Sequence, residues 1–437
     1  MSDYMFMLES HLSAEQSRVV ADVQATAAAA NLNLFLAGGA IRDILGGFTT
    51  KDLDFVVEGN ALKLAQTVAE ATGAAIREID EHRGLCEVVF PNGVVAEIAM
   101  ARREKYGRPG SKPQVSPAAI YEDLRGRDFT VNALALSLNR ASRGLLLDPA
   151  NGVADLQRKE LRAVSNYALH DDPVRLLRLL RLKTRFGYGI AERTKSQYDN
   201  AREAGVEKYI TAPMLLKELR HIASEPNAGD VLRVLEEEKL LDLYSPALSG
   251  EKLNRGGFQK LQKAKALIPF GIPYPMDNLA LLLWFLSEKL SPKERSQFTT
   301  SLGLSKEEAQ GWQKLEGRAK KLEITLAGAK IQRPSQLWRI VAEAPGEDVV
   351  FVFARSTQRL VLDRIRNFFQ KYLPAAMEVT DRDVMATGAK PGSAKWRQEK
   401  ARLIAARLDG RMKKEPPLPP AAPDPVPFRA RARGGGR

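Results

Sequence analysis

Residues 37–59 read AGGAIRDILGGFTTKDLDFVVEG, and the apolar run LNLFLA at 32–37 leads into them, sharing Ala37. The apolar run reads as a short buried strand that ends at a glycine pair. Gly38 and Gly39 permit a tight turn and close backbone approach. A helix beginning near Ala40 would aim its free amides at that turn and make a phosphate cradle, with Arg42 adding a charged donor. Thirteen residues after Gly39, Asp52 and Asp54 alternate along the next strand. Their carboxylates therefore project from one face, within reach of a shared divalent ion. This is the arrangement that two-metal phosphoryl transfer needs: one ion activates an attacking hydroxyl, and the other neutralises a triphosphate and its leaving group. A glycine pair alone is usually a turn, and an Asp-x-Asp alone is usually a solvated strand edge. Joined at this spacing after a strand, they are specific.

Outward from this unit, residues 12–30 suit a helix. DLDFVVE (52–58), CEVVF (86–90) and VVAEIAM (94–100) suit strands, and ALKLAQTVAEATG (61–73) suits a helix closed by a glycine. Beyond about Asp148 the strand signals thin out. Segments such as DPVRLLRLLRLKTRF and APMLLKELRHIASE show helical spacing. The expected fold class is α+β, a head with a small mixed sheet followed by all-helical parts. The expected boundaries are head 1–147, neck 148–225, body 226–335, tail 336–413 and a disordered Pro/Arg/Gly segment 414–437.

Composition narrows the partners. Sixty-six basic against fifty-three acidic residues give a net charge of +13, which suits a polyanion. The segment 414–437 accounts for only +3 of it, so the folded part is basic in its own right. The single cysteine, Cys86, excludes an intramolecular disulfide and a cysteine zinc cage, and reads as core. No apolar run approaches the roughly 20 residues needed to span a bilayer, and no leader pattern is evident, so a cytoplasmic location without membrane contact is expected.

GGAIRD followed by DLD resembles the signature of polymerase-β-like nucleotidyltransferases, specifically the class II tRNA nucleotidyltransferase and poly(A) polymerase family. The resemblance places a third acid at Glu97 in VVAEIAMARREKY, beside Asp52 and Asp54. EDLRGRDFTVNALAL (122–136) resembles the family's second motif and implies sugar and triphosphate contacts at Arg127, Asp128 and Asn132. The family usually has paired arginines here, whereas this chain has Gly126 before Arg127. DPANGVADL (148–156) resembles a hinge motif, in which Asp148, Gly152 and Asp155 suit turns and a helix cap.

HDDPVRLLRLLR (170–181) resembles the motif whose two acids and arginine act as an amino-acid template for the incoming base, here Asp171, Asp172 and Arg175, with Arg178 nearby. Asp171 and Arg175 are four apart, which predicts one helix face. A carboxylate accepts from an exocyclic amine and a guanidinium donates to a ring nitrogen, a pattern that suits cytosine and adenine. His170-Asp171 also spells the HD dipeptide of metal phosphohydrolases, but His11, His82 and His221 lack metal-ligand spacing. RREKYGRPGSKPQVSPAAI (102–120) is polar and rich in proline and glycine. It is expected to be mobile and resembles the family's flexible loop. Near the end, Gly388 and Gly392 flank Lys390-Pro391 before a basic helix. Lys390, Lys395, Arg397, Lys400 and Arg402 are candidates for contact with tRNA.

The resemblance implies magnesium in a two-ion site, CTP and ATP as substrates, the tRNA acceptor arm as partner, and no obligate protein partner. The implied reaction is addition of C and/or A, the CCA sequence, to the tRNA 3′ end with release of pyrophosphate. Enzymes adding only CC, only A or poly(A) share nearly all of these motifs. A non-catalytic RNA-binding protein and a transferase acting on a small molecule are the readings from other classes. The retained acids argue against the first, and the long basic helical part against the second.

Overall fold

The computed structural model describes residues 4–48, 50, 53–272 and 274–410. Asp52 and the segment from Lys414, both singled out above, lie outside the described residues. The described chain divides into two compact units, one of residues 1–327 and 344–362, the other of residues 328–343 and 363 onward.

The larger unit opens with α1 (Tyr4–His11) and α2 (Ala14–Ala29). Ser13 and Gln16 form a capping box at the start of α2, each side chain satisfying a backbone amide that the helix leaves free. Then come β1 (Asn33–Ala37), α3 (Gly39–Leu45), β2 (Leu53–Glu58), α4 (Ala61–Thr72), β3 (Ala75–Asp80), β4 (Leu85–Val89) and β5 (Val95–Met100). With β8 (Ala135–Ser137) and β9 (Leu146–Leu147) they build a seven-stranded sheet in the order β3-β4-β5-β2-β1-β8-β9. Only β2 and β5 pair in parallel; the other neighbours are antiparallel. The expected mixed sheet is present. The short strands β8 and β9 were not anticipated, because two or three residues carry too little alternation to read.

α4 fits its sequence closely. Asn60 accepts from the Lys63 amide at 2.9 Å, and Gly73 ends the helix at φ +73. Leu64, Ala65 and Val68 on its inner face are buried, and α2 packs beside it.

Between β5 and α5 (Ile120–Arg125) the stretch expected to be mobile forms an antiparallel ribbon of β6 (Arg102–Lys105) and β7 (Gln114–Pro117). Its turn is tied down. The Gly110 amide donates to the Asp171 carbonyl at 3.1 Å, and the His82 ring lies 2.8 Å from the Pro113 carbonyl. Proline and glycine here shape a fixed turn.

α6 (Gly152–Arg158), β10 (Glu160–Leu161), α7 (Ala168–Asp171), α8 (Val174–Phe186), β11 (Gly189–Ile190), α9 (Glu192–Glu203) and α10 (Ala212–Ser224) follow. Asp148 holds the entry to α6, accepting from the Gly152 amide at 2.6 Å and the Val153 amide at 3.0 Å. Asp155 accepts from the Thr130 hydroxyl at 2.7 Å, so the hinge motif is structural in its contacts. Farther on, Asn278–Ser287 is apolar on every side and is accordingly central. Its Trp284 meets Phe351 edge-on with ring centres 4.6 Å apart.

The smaller unit has its own core of Ala376, Val379, Val384, Ala389, Trp396 and Ile404. Trp338 stacks on Phe368 at 5.3 Å, and the Ser335 amide and hydroxyl bind the Asp409 carboxylate.

Candidate active site

β1 delivers the chain to Gly38 at φ 68 and ψ −127, a conformation that side chains other than glycine resist. A methyl group built at Gly38 would stand 2.6 Å from Arg127 Nη1 and 3.5 Å from Asp54 Oδ2. One built at Gly39 would stand 3.5 Å from the same Asp54 oxygen and 3.4 Å from Arg42 Nη2. The glycines are therefore needed for close approach to Asp54 and the two arginines. α3 spans only seven residues, so its backbone dipole matters less than this bare surface.

Asp54 lies on β2 and is the direct partner of Glu97 on β5 in the parallel register. Both carboxylates line one cavity of about 510 Å³. Alternation puts the neighbours Leu53, Phe55, Ala96 and Ile98 into the core, which fixes the two acids on the opposite face. Cys86 is fully buried on the adjacent strand. Burial, helped by the Glu97 charge, pushes its thiol up to about 11, as suits inert core. Among the described residues no three His, Cys, Asp or Glu side chains are gathered as a ready metal cage.

Gly38, Gly39, Arg42, Arg127, Asp128, Asn132, Asp172, Arg175 and Arg178 line the same cavity. The Arg127 guanidinium is held by Asp123 at 3.0 and 3.1 Å. Burial alone would lower it, but Asp123, Asp54 and Asp128 outweigh burial and keep it firmly protonated. Asp128 accepts from the Phe129 amide at 2.6 Å, Asn132 Nδ2 at 2.9 Å and Arg178 Nη1 at 2.8 Å. Burial would raise this carboxyl, but Arg178 and Arg175 drive it well below the ordinary range. Asn132 in turn accepts from Arg42 Nη1 at 2.6 Å. Asp128 and Asn132 thus hold the arginines in place.

One local expectation is corrected. Asp171 and Arg175 do not share a helix face: α7 ends at Asp171, Asp172 stands outside it at φ −122, and α8 begins after Pro173. The proline ring disfavours the helical conformation in the residue before it, so Asp172 breaks the run. Arg175 pairs with Asp172 at 3.4 Å, while Asp171 is half-exposed, beside His170 at 3.9 Å and outside the cavity lining. Arg175 Nη1 and Nη2 donate to the carbonyls of Gly126, Arg127 and Ala168. Asp172 Oδ1 and Arg175 Nε are buried without a hydrogen-bond partner.

The remaining candidates lie in the smaller unit. Gly388 and Gly392 adopt φ +77 and +78 around exposed Lys390, and Ser393 caps the helix Ala394–Leu408. Lys395 and Arg397 are exposed, Lys400 pairs with Asp381 at 3.0 Å, and Arg402 with Glu399 at 2.8 Å.

Sequence reasoning missed two walls of the cavity. α10 contributes Lys217, Glu218 and His221. The signal was available, since Glu218 falls between Leu215 and Ile222 on the buried stripe, where an acid needs a partner. The ribbon contributes Arg102, Glu104 and Tyr106, joined by Arg83. Glu104 accepts from Arg102 Nε at 2.8 Å, Arg83 Nε at 3.2 Å and the Tyr106 hydroxyl at 2.7 Å.

Burial opposes ionisation of Glu104, but Arg102, Tyr106 and Arg83 outweigh it and lower the carboxyl to about 2. A depressed carboxyl stabilises the fold above its unfolded value and loses that contribution as pH falls towards 2. Glu104→Gln is therefore expected to cost on the order of 2 kcal/mol at pH 7. The gap from wild type should close as pH falls from about 4.5, measured by urea unfolding across that range. A gap that stays constant with pH would mean that the carboxylate charge is not what anchors the ribbon.

Residues 34–162 match the family described as the poly A polymerase head domain. An A-adding tRNA nucleotidyltransferase of Geobacter sulfurreducens is 26% identical over 93% of this chain and 47% of its own length. A CC-adding tRNA nucleotidyltransferase of Deinococcus radiodurans is 38% identical over 46% of this chain and 53% of its own. An A-adding tRNA nucleotidyltransferase of Aquifex aeolicus is 34% identical over 54% of this chain and 28% of its own. The chain thus spans about half or less of the length of these curated relatives. In fold it matches a solved CCA-adding enzyme in an apo form, with a TM-score of 0.54 at 23% identity, covering 94% of this chain and 96% of that one. The glycine turn, the paired acids of β2 and β5 and the Arg127–Asn132 segment all fall within the residues that match the poly A polymerase head domain.

Proposed function

We propose that this protein is a template-independent RNA nucleotidyltransferase that adds C and/or A to the 3′ end of tRNA, taking the nucleotide from CTP or ATP. The observation that carries the reading is one cavity holding Asp54 in register with Glu97 beneath the bare Gly38–Gly39 backbone, with the Asp172–Arg175 pair on another wall. In the reaction the RNA 3′-oxygen forms a bond to the α-phosphorus as the bond to the β-phosphate bridge breaks, and pyrophosphate leaves.

Asp54 and Glu97 offer hard oxygen donors that fit magnesium, with Asp52 two residues before Asp54 in sequence. Bound there, the ion supplies charge neutralisation at the reacting phosphate. Arg42 and Arg127 beside the glycine turn suit the remaining phosphate charge. The Asp172 carboxylate and the Arg175 guanidinium, which both line the cavity, supply an acceptor and a donor for the base. Cytosine and adenine each offer an exocyclic amine beside a ring nitrogen, which satisfies both; uracil offers the reverse order.

The names of the relatives support the acceptor: they are tRNA nucleotidyltransferases, some A-adding and some CC-adding. The helical segments 148–225, 226–335 and 336–413 are proposed to hold the acceptor arm, with Lys390, Lys395, Arg397, Lys400 and Arg402 as phosphate contacts. Among the described residues no helix is long and apolar enough to cross a membrane.

The test supplies tRNA ending before CCA, tRNA ending in CC, and an unrelated RNA, each with CTP, ATP or both, with magnesium and with a chelator. Incorporation confined to the tRNAs and lost with chelator is expected. Long A tails on the unrelated RNA would overturn the tRNA reading, and no incorporation anywhere would favour a binding protein. Addition of A alone is the second reading, favoured by the A-adding relative matched over 93% of the chain; activity only on tRNA ending in CC identifies it.

A further inference from the structure

Along the cavity wall runs a closed ring of side chains, of which Glu225 alone stands behind the lining. Asp128 accepts from Arg178 Nη1 at 2.8 Å, and Arg178 Nε stands 3.7 Å from Glu218. Glu218 accepts from Arg181 Nε at 2.6 Å, and Arg181 Nη1 donates to Glu225 at 2.7 Å. Glu225 pairs with Arg185 Nε at 3.4 Å, and Arg185 Nη2 donates to Asp43 at 2.9 Å. Asp43 accepts from Arg42 Nε at 2.9 Å. Arg42 Nη1 reaches Asn132 at 2.6 Å, and Asn132 returns to Asp128 at 2.9 Å.

The ring balances Arg42, Arg178, Arg181 and Arg185 against Asp43, Asp128, Glu218 and Glu225. The three arginines of α8 recur at spacings of three and four, which places them on one face. Asp43 and Arg42 belong to α3 at the glycine turn, whereas Glu218 and Glu225 come from α10 and its end.

Glu225 is 3% exposed and absent from the cavity lining, so it is placed to touch no substrate. It nevertheless serves two arginines. Arg185 carries its influence forward, because its other contact, Asp43, is the carboxylate that aims the buried Arg42 guanidinium. Phe186 braces the same joint, with the Arg42 and Arg185 guanidinium carbons 4.9 and 4.7 Å from its ring centre. Arg42 Nη2 is also the atom that a methyl at Gly39 would approach to 3.4 Å, so the guanidinium lies directly against the turn.

We propose that Glu225 is a positioning residue for nucleotide binding, acting through Arg185 and Asp43 on Arg42. This rests on the nucleotide-transfer reading above. Removing one charge from a balanced buried ring leaves a net positive charge inside it, and Asp43 is then drawn between its arginines instead of fixing Arg42.

Glu225→Gln keeps the shape and removes the charge. The KM for ATP or CTP is expected to rise about tenfold, with kcat within about threefold of wild type. On an Arg42→Ala background the same change should cost less than about twofold more, since the residue it acts through is gone. Arg185→Gln cuts the path one link later and should reproduce the KM effect; it carries the test if Glu225→Gln does not fold. An unchanged KM, a lower melting temperature as the only effect, or a full multiplicative loss on the Arg42→Ala background would overturn the proposal. Equilibrium binding of ATP and CTP without RNA, on the same variants, separates the two readings. Wild type that binds nucleotide but extends no tRNA sinks the acceptor alone, while wild-type extension with an unchanged Glu225→Gln variant sinks the positioning role alone.

Discussion

Asp54→Ala is expected to reduce nucleotide transfer by at least about a thousandfold while leaving tRNA affinity within about twofold, because the change removes one small carboxylate from the cavity and nothing from the basic helical surface. The size follows from its place. Asp54 is the carboxylate that both glycines of the turn approach, and it stands in register with Glu97. It also supports the charge of Arg127, so its loss would weaken the proposed phosphate contact as well. Single-turnover extension of tRNA ending in CC, with a parallel filter-binding measurement, checks both halves. Transfer near the wild-type rate would end the mechanism, and a matching loss of tRNA binding would point to a folding defect.

Gly38→Ala should also damage activity severely, and the fold only slightly. The backbone at φ 68 and ψ −127 makes alanine strained, at about 1–3 kcal/mol. The added methyl would also stand 2.6 Å from Arg127 Nη1, the free end of a flexible side chain that can swing aside. The variant is therefore expected to fold, but the guanidinium that yields is the one proposed to hold the phosphates. kcat/KM for nucleotide is expected to fall about a hundredfold, with a loss of melting temperature of only a few degrees. The decisive comparison is Gly39→Ala, where the backbone is helical and the nearest approach is 3.4 Å. It should be the milder of the two, and a reversed order would show that close packing on Arg127 does not matter.

Much of the head was legible because its information is local. A strand, a glycine turn and the strand that carries Asp54 occupy one short run, and the family resemblance set Glu97 on a neighbouring strand, where it pairs with Asp54. The break before Pro173 was equally local and still misread, because helical spacing was allowed to outweigh the proline. The anchored ribbon escaped notice for a different reason. Its order depends on Arg83, Asp171 and Pro113 meeting across long sequence separations, which no window reveals. The charge ring was hidden in the same way. Arg185 and Asp43 are 142 residues apart, and only the buried stripe of α10 hinted that its acids had partners.

The parallel pairing of β2 with β5 carries an evolutionary consequence. In VAEIAM, Ala96 and Ile98 fill the core while Glu97 faces the cavity beside Asp54. A slip of one residue would turn the whole strand over, driving the acid into the apolar interior and presenting isoleucine to the cavity. No mutation can reposition Glu97 by sliding that strand without also disrupting the core. Selection for a packed sheet and selection for chemistry thus act on the same six residues, and variation in specificity is left to the walls around them.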